Sequence, residues 1–160
     1  MRRRIKLPFY DYEIAAAVII FCLFVLTRFY GIAVVSGHSM EPFYRNDDIV
    51  IAAKHRDGQP LKRGDVVLVK HGSDGLLMVK RVVAVPGDHL MAQDGSLYIN
   101  GEPEDGHYPP LGDAGCLSAP FILGDDEYFI MGDNRPKSTD SRTFGPVSSK
   151  DVFGVVFARF

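Results

Sequence analysis

His89-Leu90-Met91-Ala92-Gln93-Asp94-Gly95-Ser96-Leu97-Tyr98-Ile99-Asn100 sets two matched runs around Asp94-Gly95, a pair that favours the left-handed backbone of a tight hairpin. Working outward, Pro86-Gly87-Asp88 closes the long apolar run Leu76–Val85, and Asn100-Gly101 ends the second hairpin run. Further short apolar or alternating runs lie between turn signals at Asp48–Ala53, Asp65–Lys70, Glu127–Met131 and Val152–Phe160. Glu102–Pro120 is rich in Gly and Pro with little pattern and reads as a surface excursion. With 16 glycines, 10 prolines and no convincing helix beyond the N-terminal region, the expected fold is mostly β, built from antiparallel sheets.

A chain of 160 residues fits one ordinary domain. At 24% charged and 46% hydrophobic residues it is neither disordered nor polytopic. A net charge of −2 gives no whole-molecule attraction to nucleic acid. Cys22 and Cys116 supply no disulfide framework, and the five histidines show no metal-ligand spacing.

The beginning is polarised. Arg2, Arg3, Arg4 and Lys6 precede Ile14–Leu26, a run without charge, proline or glycine. That run spans roughly 20 Å as a helix, short of a bilayer core of roughly 30 Å. Tyr10 and Tyr12 before it, Phe29 and Tyr30 after it, and a snorkelling Arg28 lengthen it to a spanning segment. The expected division is a cytoplasmic basic tail over 1–11, a transmembrane anchor over 12–30 and an extracytoplasmic β domain over 31–160. A cleaved signal peptide would need a small-x-small cleavage site, which Thr27-Arg28-Phe29-Tyr30 lacks. A buried core helix would be apolar on one stripe, whereas this run is apolar all round.

Chemistry concentrates in three segments. In Val34-Val35-Ser36-Gly37-His38-Ser39-Met40-Glu41-Pro42, a serine follows the membrane exit between turn formers, where it is either an exposed nucleophile or a plain turn serine. His38 is its neighbour and in extended chain points away from it. Lys80 interrupts a strand that is otherwise nearly all apolar, and alternation puts it on one face with Met78, Val82 and Ala84, and Arg81 on the other with Val79 and Val83. Burial there would lower its pKa toward the range of a useful base; exposure on an edge strand would leave it an ordinary lysine. In Met131–Pro146, Asp140 and Arg142 can pair and shape a loop, while Ser138 and Ser141 can orient an amine without holding it charged.

Together, in this order behind this apolar segment, these stretches resemble the bacterial type I signal peptidases, the membrane-bound serine–lysine leader peptidases. The resemblance rests on Gly37-His38-Ser39-Met40-Glu41-Pro42, Arg63-Gly64-Asp65-Val66-Val67, Lys80-Arg81-Val82 with Pro86-Gly87-Asp88, and Gly132-Asp133-Asn134-Arg135 through Ser138, Asp140-Ser141-Arg142 and Gly145-Pro146-Val147. It implies a signal-peptidase-like catalytic domain behind one transmembrane helix, in a bacterial plasma membrane, with the N-terminus cytoplasmic. It implies Ser39 as nucleophile, Lys80 as general base, Ser138 orienting the lysine amine, and Asp140 with Arg142 as a structural pair. Val35, Met40 and Val79 would line shallow pockets for small substrate residues. No metal or cofactor is implied; the partners are preproteins with signal peptides, the lipid bilayer and the secretion translocon, not nucleic acid.

The chain departs from the family pattern at Phe43, where many relatives have threonine, at Asp47, where they have glycine, and at Pro136-Lys137. Gly37 stands where some relatives carry a serine that helps hold the oxyanion. The brevity of Glu102–Pro120 suggests that a second, variable β-region is largely missing. Two other readings stay open: a pilin-processing peptidase of conjugative transfer with the same dyad, and a membrane-anchored β domain that only binds a partner. The self-cleaving repressors that share the box pattern need a DNA-binding N-terminus and no membrane span, which does not match.

Overall fold

The computed structural model describes residues 9–70, 76–104 and 108–160, with side chains from Tyr12 onward. Most of the basic tail, His71 and His107 therefore lie outside the described residues, as does the Tyr10 side chain. Helix α1 (Phe9–Phe29) contains an 18-residue window, Tyr12–Phe29, with mean hydropathy 2.0 and no part buried against the rest of the protein. That is about 27 Å of helix, long and apolar enough to cross a membrane.

The helix ends one residue before the expected limit, because Tyr30 is already the first residue of a strand. β1 (Tyr30–Val34) pairs antiparallel with β2 (Ile49–Lys54), from Tyr30 opposite Ala53 to Val34 opposite Ile49. The chain then forms β3 (Val66–Lys70), β4 (Leu77–Ala84), β5 (His89–Gln93), β6 (Ser96–Ile99), β7 (Glu102–Pro103), β8 (Phe121–Ile122) and β9 (Glu127–Met131). A single-turn helix α2 (Ser141–Phe144), β10 (Val147–Ser148) and β11 (Val152–Arg159) complete it. A seven-stranded sheet runs in the order β1-β2-β11-β3-β4-β9-β10, and a four-stranded sheet in the order β7-β6-β5-β8. All their pairings are antiparallel, as the alternating runs imply.

The hairpin that opened the reading is β5–β6, with Leu90 opposite Ile99 and a left-handed turn at Asp94 (φ 50°) and Gly95 (φ 74°). Its inner residues Leu90, Leu97 and Ile99 pack with Val83, Ala84, Phe129 and Met131 of the large sheet, and this contact joins the two sheets. Leu111 and Leu117 fill the same core at 1% and 0% exposure. So Glu102–Pro120 is not simply a surface excursion: two isolated leucines pin it down, and β7 lies within it. A second β-region is likewise present as the four-stranded sheet, short in each strand rather than missing.

One face assignment on β4 changes. Val82 pairs with Ile130 but Ala84 pairs with Phe129, so an extra residue bulges at Val83. The bulge moves Ala84 to the face opposite Val82, into the inter-sheet core, while Lys80 and Val82 keep the expected parity with Val67 and Val69.

Candidate active site

Ser39 sits in the turn that follows β1. Val35 anchors that turn through its N–H to the Asp48 carbonyl at 2.8 Å and its own carbonyl to the Asp47 N–H at 2.9 Å. Gly37 adopts φ 93°, and its N–H is held by Asn46 Oδ1 at 2.8 Å. Space for a side chain exists there, but the backbone conformation disfavours any L residue, so a serine at this place would be strained. Met40, 1% exposed, roots the other side of the nucleophile in the core. From the bend after β9, about a hundred positions away, the Asn134 N–H donates to the Ser39 carbonyl at 2.9 Å and Asn134 Nδ2 to the His38 carbonyl at 3.1 Å. The serine is thus held from both flanks.

Lys80 projects from the middle of β4, opposite Val67, and is 4% exposed. Its amine donates to Ser39 Oγ at 2.8 Å, its one hydrogen bond among the described residues. Burial pushes its pKa below the ordinary lysine value of 10.5; Asp140 and Asp133 pull the other way, and Arg142 adds to the lowering. The strand lysine is therefore the sheltered one, not the solvent-facing one. His38 turns instead to Glu41 at 2.8 Å, out in solvent, and takes no part in this contact.

Ser39 and Lys80 lie in one cleft of about 180 Å³, lined by Ala33–Ser36 and Met40 on one side and by Leu68 and Leu77–Val79 on the other. Val35, Met40 and Val79, the residues expected to form substrate pockets, are all in that lining. Asp140 and Arg142 pair as expected: Arg142 Nε donates to Asp140 Oδ1 at 2.8 Å and Nη2 to Oδ2 at 2.9 Å, with both side chains buried. Arg142 also donates to the carbonyls of Leu111, Asp113, Arg135 and Ser138, so one guanidinium closes the whole loop. Its charge and the Gly132 N–H hold the Asp140 carboxyl below the usual carboxylate value despite burial.

The signal peptidase, peptidase S26 family model matches residues 12–160. Signal peptidase I V of Bacillus subtilis (strain 168) is 35% identical over 137 residues, 76% of this chain and 80% of the relative. Signal peptidase IB of Staphylococcus aureus (strain COL) is 30% identical over 172 aligned residues, 94% of this chain and 88% of the relative. A crystal structure of a signal peptidase I from Enterococcus faecalis V583 superposes with a TM-score of 0.51 at 28% identity, over 62% of this chain and 98% of that one. The chain belongs to the signal peptidase family, peptidase S26. It is accordingly a hydrolase of the signal peptidase I type, with one N-terminal apolar helix in front of its β domain.

Within this signal peptidase, two expected roles look different in the structure. Ser141 Oγ, offered as a hydroxyl for the amine, instead accepts from the Ile130 N–H at 3.0 Å and ties α2 to β9. Ser138 Oγ is buried near the dyad but has no hydrogen-bond partner, so a bond to the Lys80 amine is not made here. Its position follows from Gly132: a Cβ there would lie 2.3 Å from Ser138 Oγ and 2.4 Å from the Ser39 carbonyl oxygen. Gly132 is a site residue that sequence reasoning left without a role, as are three arginine pairs. Arg81 grips Asp133 with two bonds of 2.7 Å, Arg135 grips Glu104 at 2.5 and 2.6 Å, and Arg63 binds Asp88. In sequence these arginines looked like ordinary strand and loop charges, and their partners lie far along the chain.

Proposed function

We propose that this signal peptidase cleaves exported preproteins with a Ser39–Lys80 dyad, and the observation that carries this reading is the buried Lys80 amine 2.8 Å from Ser39 Oγ. Neutral Lys80 takes the hydroxyl proton as Ser39 Oγ attacks the scissile carbonyl, and the ammonium then protonates the leaving amine. The resulting ester is hydrolysed by a water that Lys80 deprotonates in the second half-reaction. The oxyanion falls to the Ser39 N–H, which has no acceptor among the described residues, whereas the Gly37 N–H is already occupied by Asn46. Ser138 Oγ, unpaired and close by, is the group that orients the amine once substrate shifts it, and Asp140 with Arg142 shapes the loop that carries it.

The substrate is an extended segment running between residues 33–36 and 77–80, with small residues at the first and third positions before the cut. The narrow cleft walled by Val35, Met40 and Val79 supports that size limit. Helix α1 anchors the enzyme with the basic tail in the cytoplasm and residues 31–160 outside, beside the translocon, so substrate and enzyme share a bilayer and a raised local concentration. The test is preprotein cleavage in detergent by the wild type, Ser39→Ala and Lys80→Ala. Loss of at least about a thousandfold in each variant is expected; equal processing by all three would end the dyad reading.

A further inference from the structure

Among the described residues, some cations are ion-paired and others are not. Arg63, Arg81, Arg135, Arg142 and Arg159 are each matched with a carboxylate. Arg28, Lys54, Arg56 and Lys70 have no carboxylate partner among the described residues, and at least three of them gather at one place. Lys54 Nζ donates to the Thr27 carbonyl at 2.7 Å, at the C-terminal end of α1. The Arg56 guanidinium lies 5.4 Å from the Phe29 ring centre. Lys54 and Lys70 Nζ lie 5.7 and 5.9 Å from the centre of one ring, Phe153. That ring in turn packs on Gly31, where a Cβ would meet Phe153 Cε1 at 2.5 Å. Asp57, the acid nearest Arg56 in sequence, is turned to Ser149 Oγ at 3.5 Å.

Like charges brought together at a surface repel unless something of opposite sign lies between them. Helix capping accounts for Lys54, whose ammonium meets a terminal carbonyl. It does not account for Arg56 or Lys70, which touch no helix carbonyl. The height of the cluster decides what the counter-charge is. Thr27 and Phe29 close the apolar window, so groups within a few ångströms of them stand at headgroup level whatever the tilt of the helix. Aromatic rings with basic residues beside them are the pattern of an interfacial collar.

We propose that Arg28, Lys54, Arg56 and Lys70 form a binding collar for the phosphate groups of anionic phospholipids, in the leaflet that the catalytic domain faces. The proposal rests on α1 being a membrane anchor. Phosphates between Lys54, Arg56 and Lys70 fasten the β2, β3 and β11 ends of the large sheet to the surface. Because Lys70 pairs with Leu77, from which β4 runs to Lys80, the collar also fixes how the cleft meets the bilayer.

The test uses the full chain reconstituted in vesicles, with spin-labelled phosphatidylglycerol or phosphatidylcholine delivered to the leaflet facing the catalytic domain. Electron paramagnetic resonance then reads the preference for the anionic label. A preference of about threefold or more is expected for the wild type, falling to near unity in Arg56→Gln/Lys70→Gln. That pair is chosen because both side chains are exposed and the Lys54 cap is left intact. Lys62→Gln/Lys137→Gln, cations outside the cluster, should retain it. No preference in the wild type, an unchanged preference in the Arg56/Lys70 variant, or equal loss in the Lys62/Lys137 variant overturns the collar. Extraction of the wild type by alkaline carbonate would instead overturn the anchor reading beneath it.

Discussion

Replacing Arg142 by methionine removes a charge that donates to one carboxylate and four carbonyls, and the structure says what is left behind. Asp140, 0% exposed, would keep the Gly132 N–H at 3.0 Å and the main-chain N–H of residue 142 at 3.3 Å but lose its counter-ion. The carbonyls of Leu111, Asp113, Arg135 and Ser138 would lose a donor at the same stroke. Stranding one member of such a buried pair costs about 3–5 kcal/mol. For a domain of this size that is roughly 10–20 °C in Tm. Arg63→Met is the internal comparison: Arg63 is 45% exposed, and Asp88 retains the Val85 N–H at 2.8 Å and Asn100 Nδ2 at 3.0 Å. It should cost on the order of 1 kcal/mol. Unfolding of the full chain in micelles, followed by near-ultraviolet circular dichroism, measures both. Asp140→Asn/Arg142→Met should recover part of the loss, since the stranded charge goes but the orphaned carbonyls stay. A cost for Arg142→Met no larger than for Arg63→Met would refute the view that this guanidinium holds the loop.

Four further outcomes follow from the same geometry. Because burial lowers the Lys80 pKa, folded Lys80 binds fewer protons than unfolded Lys80 between its own pKa and 10.5. Stability should therefore fall as pH drops through that window, Lys80→Met should lack the dependence, and kcat/KM should rise with pH through a limb below 10.5. For Asp140 the carboxyl is lowered from 3.8, so its contribution is complete above that value and is lost as pH falls through the lower folded value; acid titration of Asp140→Asn against wild type reads the difference. Gly132→Ala must displace either Ser138 Oγ or the Ser39 carbonyl, and a misplacement of that size should lower kcat about a hundredfold with KM little changed. Ser138→Ala removes a buried hydroxyl that makes no close hydrogen bond but faces the Asp140 carboxyl, so Tm should change little while kcat falls.

The strands legible in the sequence were those long enough to show alternation or bounded by Gly, Pro and Asp turns, as at Leu90–Ile99. β7, β8 and β10 are two residues each, too short for any period to appear. β1 was hidden because Tyr30 and Ile32 read equally well as the end of a membrane segment, and only pairing with β2 makes them a strand. A bulge is a property of two strands together, which is why Ala84 was placed on the wrong face. At the site, Lys80 stood out because a cation is out of place in an apolar strand, whereas Ser39, ordinary for a turn, was singled out only by the resemblance of its box. Asp140 and Arg142 were legible from their spacing. Asn134 holding the Ser39 carbonyl, and Gly132 giving it room, depend on contacts between residues about a hundred positions apart, for which local sequence carries no signal.

Two ion pairs, Arg142–Asp140 and Arg81–Asp133, bear directly on the Lys80 amine. A neutral lysine base is incompatible with a free carboxylate beside it, yet Asp140 and Asp133 both lie near enough to the Lys80 amine to pull its pKa upward. Each is occupied by a guanidinium: Asp140 by Arg142, and Asp133 by Arg81, the neighbour of Lys80 that points to the opposite face. With both acids matched, their effect on the amine is largely cancelled and burial decides the outcome. The ladder explains why the pairs fall where they do. Arg81 stands opposite Met131, and the chain leaving β9 there brings Gly132 against Ser39 and Ser138 and Asp133 onto Arg81. Strand register therefore delivers, from one short stretch after β9, the gap that admits the serine, the acid that occupies Arg81 and the N–H that fixes Asp140. The pairing of β4 with β9, more than any single side chain, thus sets the buried surroundings that lower the Lys80 pKa.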